Sequence, residues 1–183
     1  MTCVVGVVDK KSKEVWIGAD SAGVAGLDIT RRKDKKVFKN GEFVIGCTSS
    51  FRMIQLLQYS FAPPKINEGQ SLEHYMATSF IDAVRKCFKD GGYLTTDKGV
   101  DEGGKFLVGV RGRLFTVDSD FQVGESMDNF DAVGCGEPYA KGAMYEFRKM
   151  DLDPERLIKD ALEAAEYFSA GVSAPFHVVT TEE

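Results

Sequence analysis

The sequence predicts an α+β fold: a four-layer αββα sandwich, with two antiparallel sheets stacked inside and helices on both outer faces. Three observations carry this expectation. Strand candidates come in pairs joined by short polar turns. Helical stripes also come in pairs, one between the strand sets and one after them. The first strands are apolar on nearly every residue, which requires cover on both faces of the sheet.

The elements follow in order. Residues 3–8 and 14–19 read as strands joined by the polar turn Asp9-Lys10-Lys11-Ser12-Lys13. A second pair, 36–39 and 42–47, is joined by Asn40-Gly41, a hairpin dipeptide. Thr48-Ser49-Ser50 reads as a helix start, with apolar residues from Phe51 to Phe61 and a stop at Pro63-Pro64. Ser71 opens a second helix, in which Leu72, Tyr75, Met76, Phe80, Val84 and Phe88 recur at helical steps until Gly91-Gly92. Residues 94–105 are polar and Gly-rich and read as a long loop. Strands follow at 106–110, 113–117 and 130–135. A helix carries Tyr139, Ala140, Ala143, Met144 and Phe147. Asp153-Pro154 caps the last helix, whose stripe runs from Leu157 to Phe168. A final strand covers about 176–180. No repeat or low-complexity segment interrupts this order.

The chain has 183 residues, 43% hydrophobic and 28% charged, which predicts one globular domain over 1–183. A net charge of -5 argues against nucleic-acid binding, and no run is apolar for long enough to span a bilayer. Four scattered cysteines without a CxxC pair read as reduced thiols of a cytoplasmic protein. Two separated histidines do not suggest a metal centre, and no cofactor is expected.

The chain begins Met1-Thr2-Cys3. Removal of Met1 would leave an α-amine and a β-hydroxyl on Thr2, the smallest form of a nucleophile with its own base. A threonine is also an ordinary second residue. In a hairpin centred near Lys11, the residue opposite Thr2 is about residue 20, which brings Asp20 to the same strand mouth. Aspartate is equally common as a plain turn residue. A lysine leading the next strand, Lys36, would lower the pKa of a nearby amine, with Lys35 equally eligible. Cys135, between Gly134 and Gly136, stands at a strand-to-helix corner. No histidine is near it in sequence, which ranks a Cys–His mechanism below the threonine one.

Thr2-Cys3-Val4-Val5-Gly6-Val7, Gly18-Ala19-Asp20-Ser21, Lys36-Val37-Phe38 and Gly134-Cys135-Gly136-Glu137-Pro138-Tyr139-Ala140 together resemble the proteasome-type N-terminal nucleophile hydrolases over nearly the whole chain. The resemblance implies a threonine-type peptidase acting on polypeptides within a homo-oligomeric ring, with an unfoldase ATPase as an allowed partner. It makes Thr2 the nucleophile, with Asp20 and Lys36 its electrostatic partners. Cys135 takes the place of a serine near the amine. The backbone N–H near Thr48 and Ser49 becomes the oxyanion donor.

Two departures stand out. Tyr167 occupies the position where the family usually carries an aspartate, with Glu166 one residue away. Thr48-Ser49-Ser50 replaces glycines. The Tyr167 departure keeps a catalytically silent ring subunit in play, and a small-molecule amidase on the same fold is a further alternative, since this nucleophile also serves non-peptide amides.

Overall fold

The computed structural model describes residues 1–150 and 152–182. In chain order the first elements are β1 (Cys3–Val8), β2 (Val15–Ala19), β3 (Ala22–Ala25), β4 (Asp28–Arg31), β5 (Val37–Asn40), β6 (Phe43–Cys47) and α1 (Phe51–Tyr59). Next come α2 (Leu72–Tyr75), a π turn (Met76–Phe80), α3 (Ile81–Asp90), β7 (Thr95–Asp97), β8 (Val100–Glu102), β9 (Phe106–Val110), β10 (Arg113–Val117) and β11 (Val123–Glu125). The chain closes with β12 (Phe130–Gly134), α4 (Glu137–Phe147), α5 (Pro154–Phe168) and β13 (His177–Thr180).

Two main sheets form, ordered β12-β1-β2-β13 and β11-β10-β9-β6-β5, and every strand pair is antiparallel. The sheets touch through β2 against β6 and β9, burying Val4, Ile17, Val44 and Leu107 between them. Helices α4 and α5 cover β1, β2 and β12. Helices α1 and α3 share a second apolar cluster with β6, β9 and β10. Nearly all-apolar strands are the expected result of such double cover.

The structure departs from the sequence expectation at five places. Residues 22–31 form a hairpin, β3–β4, which the sequence reading does not anticipate; β4 is exposed on every residue, so no apolar alternation marks it. The stretch 94–105 is not all loop, because β7 and β8 pair across a turn at Lys98-Gly99. The strand β11 is likewise unmarked in the sequence. The β5–β6 turn lies one residue later than expected: Asn40 pairs with Phe43, and Gly41, with φ +60°, is the first turn residue. The helix from Ser71 is interrupted by the π turn, where the Thr78 hydroxyl donates to the His74 carbonyl at 2.6 Å. A side chain bonding back to the preceding turn distorts the regular ladder, and here Tyr75, Met76 and Phe80 all end in the core.

Candidate active site

The β1–β2 hairpin sets the site. Val4 pairs with Ala19, so the register is one residue away from the sequence estimate, and Thr2 and Asp20 meet at the open end. Both are buried, as is Lys36 just before β5. The alternative, Lys35, is exposed. The Thr2 hydroxyl donates to Asp20 Oδ1, and Lys36 Nζ donates to Thr2 Oγ1. Lys36 also reaches Asp20 Oδ1 at 2.8 Å and the Ala22 carbonyl at 2.7 Å.

Asp20 is held from all sides. Oδ1 further accepts Cys3 N–H at 3.0 Å; Oδ2 accepts Ala22 N–H at 2.8 Å and Ser173 N–H at 3.3 Å. A carboxylate has about four acceptor directions, and these are filled. Burial lowers the pKa of Lys36, and Asp20 opposes that shift. The result is a desolvated ammonium against a hydroxyl oxygen, which favours the alkoxide form of that oxygen.

Thr2 lines a cleft of about 90 Å³. Val24, Phe51 and Ile54 supply apolar wall; Thr48, Ser49 and Ser50 supply polar wall. Thr48 N–H is spent on the Lys105 carbonyl at 3.2 Å. Ser49 N–H has no protein partner among the described residues. Ser49 has φ +62°, a conformation rare for a residue with a side chain, and its hydroxyl accepts Lys105 N–H at 3.1 Å. Of the two expected backbone donors, only the Ser49 N–H is therefore unspent.

Cys135 is exposed, with its thiol 3.3 Å from the Thr2 carbonyl oxygen to which it donates. Ser169 donates to the Cys135 sulfur at 3.4 Å. Gly134 has φ +105°, and a side chain there would collide with the Thr2 carbonyl oxygen. Tyr167 stays out of the site at 83% exposure, stacking its edge on Phe168. Glu166 is also absent from it, because its carboxylate accepts Ala174 N–H at 2.8 Å and fixes the loop behind α5. Met1 stands in peptide linkage to Thr2 and lines the cleft.

Sequence reasoning thus names Thr2, Asp20, Lys36, Ser49 and Cys135, and the fold gathers all five around one strand mouth. It gives no role to Ser169 and Ser173, which lie in the Ser-Ala-Gly-Val-Ser loop after α5. It also misses the Ala22 carbonyl, since backbone acceptors leave no sequence signal.

No protein-family model matches the chain, and no curated protein is similar to it. Solved structures do match it. BPH from Thiobacillus denitrificans, determined alone and in complex with epoxomicin, has a TM-score of 0.77 at 23% identity, covering 98% of this chain and 97% of that one. Eukaryotic HslV from Trypanosoma brucei has a TM-score of 0.67 at 17% identity, covering 98% of each chain. A Gly-1 mutant of Anbu from Hyphomicrobium sp. strain MC1 has a TM-score of 0.68 at 18% identity, covering 98% of this chain and 80% of that one. The chain therefore has the fold of the proteasome-like N-terminal nucleophile hydrolases.

Proposed function

We propose that this chain is a threonine-type peptidase of proteasome-like kind, with Thr2 as its nucleophile once Met1 is removed. One observation carries the reading: a buried threonine hydroxyl is clamped between a saturated carboxylate and a desolvated lysine, at the edge of a cleft.

The freed α-amine of Thr2 takes the hydroxyl proton as Oγ1 attacks the peptide carbonyl carbon. Lys36 stabilises the developing charge on Oγ1, and Asp20 fixes Lys36. The oxyanion accepts the Ser49 N–H. Collapse breaks the C–N bond, and the ammonium of Thr2 returns its proton to the leaving amine. Water, deprotonated by the amine, then cleaves the ester and restores the hydroxyl. Cys135 and Ser169 line the amine side of the threonine, where they orient it.

The reading extends to one domain over 1–183, layered helix–sheet–sheet–helix. The three apolar clusters support that layering. By analogy with its structural neighbours, the chain would work as a homo-oligomeric ring on polypeptides, with an unfoldase ATPase as a candidate partner.

A silent ring subunit is the second reading. It is favoured by Tyr167, which points outward, and by Glu166, whose carboxylate is taken by the Ala174 N–H.

Intact mass before and after epoxomicin separates the two. Loss of Met1 with one adduct on Thr2 is expected, as is loss of peptide cleavage in Thr2→Ala. A processed chain that takes no adduct would establish the silent reading.

A further inference from the structure

Thr2 and Ser49 line the same small cleft. A carbonyl attacked by the first and held by the N–H of the second therefore presents its own residue's side chain to that cleft. What the cleft admits then decides which peptide bond is cut.

Its buried floor is made by Cys47 at the end of β6 and Ile54 on α1, with Val24 and Phe51 at the sides. Burial pushes the Cys47 thiol up, so that part of the floor stays neutral. Among the described residues, Lys36 is the one charged side chain that lines the cleft. Its ammonium has three protons, and they go to Thr2 Oγ1, Asp20 Oδ1 and the Ala22 carbonyl. None is left for a substrate carboxylate. No carboxylate among the described residues lines the cleft to receive a substrate cation. Two hydroxyls of the polar wall are engaged as well: Ser49 accepts Lys105 N–H at 3.1 Å, and Ser50 accepts Arg52 N–H at 3.1 Å.

Size narrows the choice further. The cleft measures about 90 Å³. An apolar cavity that admits a benzene ring measures about 150 Å³. The space here suits a branched aliphatic side chain and crowds an aromatic one.

Phe51 stands where that limit is set. It is the first residue of α1 and is half-buried. The Arg32 guanidinium lies over its ring, 3.9 Å from the ring centre. Arg32 is itself held by Asp34, with Nε donating to Oδ1 at 2.9 Å and Nη2 to Oδ2 at 2.7 Å. A planar cation stacked on the ring face restricts the movement of this wall.

We infer that the cleft receives the side chain on the acyl side of the scissile bond and selects an uncharged, branched aliphatic one, with Phe51 setting the upper size. The inference rests on Thr2 being the nucleophile.

The test uses four peptide epoxyketones that differ only in the residue bearing the ketone: leucine, phenylalanine, arginine or aspartate. Each is applied to the full chain, and the rate of adduct formation on Thr2 is read by intact mass. The leucine probe should react about tenfold faster than the phenylalanine probe, and faster still than the two charged ones. Phe51→Ala should bring the leucine-to-phenylalanine ratio to about one or below. Where that variant does not fold, Phe51→Leu should lower the same ratio. Similar rates for all four probes, a charged or aromatic probe faster than leucine, or an unchanged ratio in the folded Phe51 variant would each overturn the selection while leaving Thr2 as the nucleophile. A chain that takes none of the four overturns the nucleophile, and this inference with it.

Discussion

The half of the molecule built on β5, β6, β9 and β10 packs with large rings. The half built on β1, β2 and β12 has a run of small side chains where its helices meet the sheet. In the first, Phe43, Phe61, Tyr75, Phe80 and Phe88 interlock, with Phe61 edge-on to Phe80 at 5.3 Å and Phe43 tilted against Phe80 at 5.4 Å. In the second, Cys3, Ala132, Ala140, Ala161 and Ala165 let α4 and α5 settle close to the sheet. Gly136 shows how close: an added Cβ would lie 2.7 Å from Cys3 Cβ and 2.9 Å from Ala165 Cβ. The ring-packed half supplies bulk stability, since buried aromatic area dominates such cores. The small-residue half sets the backbone positions of Thr2, Asp20 and Cys135, and the ring-packed half brings Lys36 and Ser49 up to them.

Four substitutions probe this contrast. The largest effect is expected from Lys36→Met, which leaves Asp20 buried without its cation. Stability should fall by about 3–5 kcal/mol in urea unfolding, and Thr2 labelling should vanish where the fold persists. An unchanged unfolding midpoint would mean that the pair does not hold the strand mouth.

Next is Phe80→Ala in the aromatic half. It should also remove about 3–5 kcal/mol, yet leave epoxomicin labelling per folded molecule unchanged. Slower labelling there would show that the two halves are not separable.

Gly18→Ala is smaller in stability, about 1–3 kcal/mol. Its Cβ would collide with Ile158 on α5. Labelling should slow out of proportion to the lost stability, because α5 carries the 169–174 loop behind Asp20. Proportional losses would remove that link.

The smallest concerns Tyr75, whose hydroxyl donates to the Pro64 carbonyl at 2.6 Å and whose pKa burial raises to about 12. A raised folded value means the neutral phenol is favoured in the fold. Its contribution is complete below the unfolded pKa of about 10 and is lost as pH rises through about 12. Tyr75→Phe should cost about 1 kcal/mol near neutral pH and flatten the alkaline loss in a urea midpoint series. An equally steep alkaline limb would assign it to other groups.

Much of this was legible in the residues. The hairpin index sum brought Asp20 to Thr2 within one residue, because antiparallel pairing is arithmetic once a turn is located. Choosing Lys36 over Lys35 was not legible, since both precede an apolar strand and only burial separates them. The hairpin β3–β4 left no trace, because a ribbon exposed along one strand has no apolar period. The left-handed turn at Ser49 was hidden for a different reason: glycine announces such backbone, and serine does not. Nor could sequence foresee that Glu166 would be occupied by Ala174, because that contact depends on how the chain turns after α5.

The Asp20 carboxylate draws donors from residues 2–3, 22, 36 and 173, which span almost the whole chain. A partly made polypeptide lacks the Ser173 strut and so lacks one of the contacts that fix Asp20. Whatever reactivity Thr2 acquires is thereby timed to the end of folding.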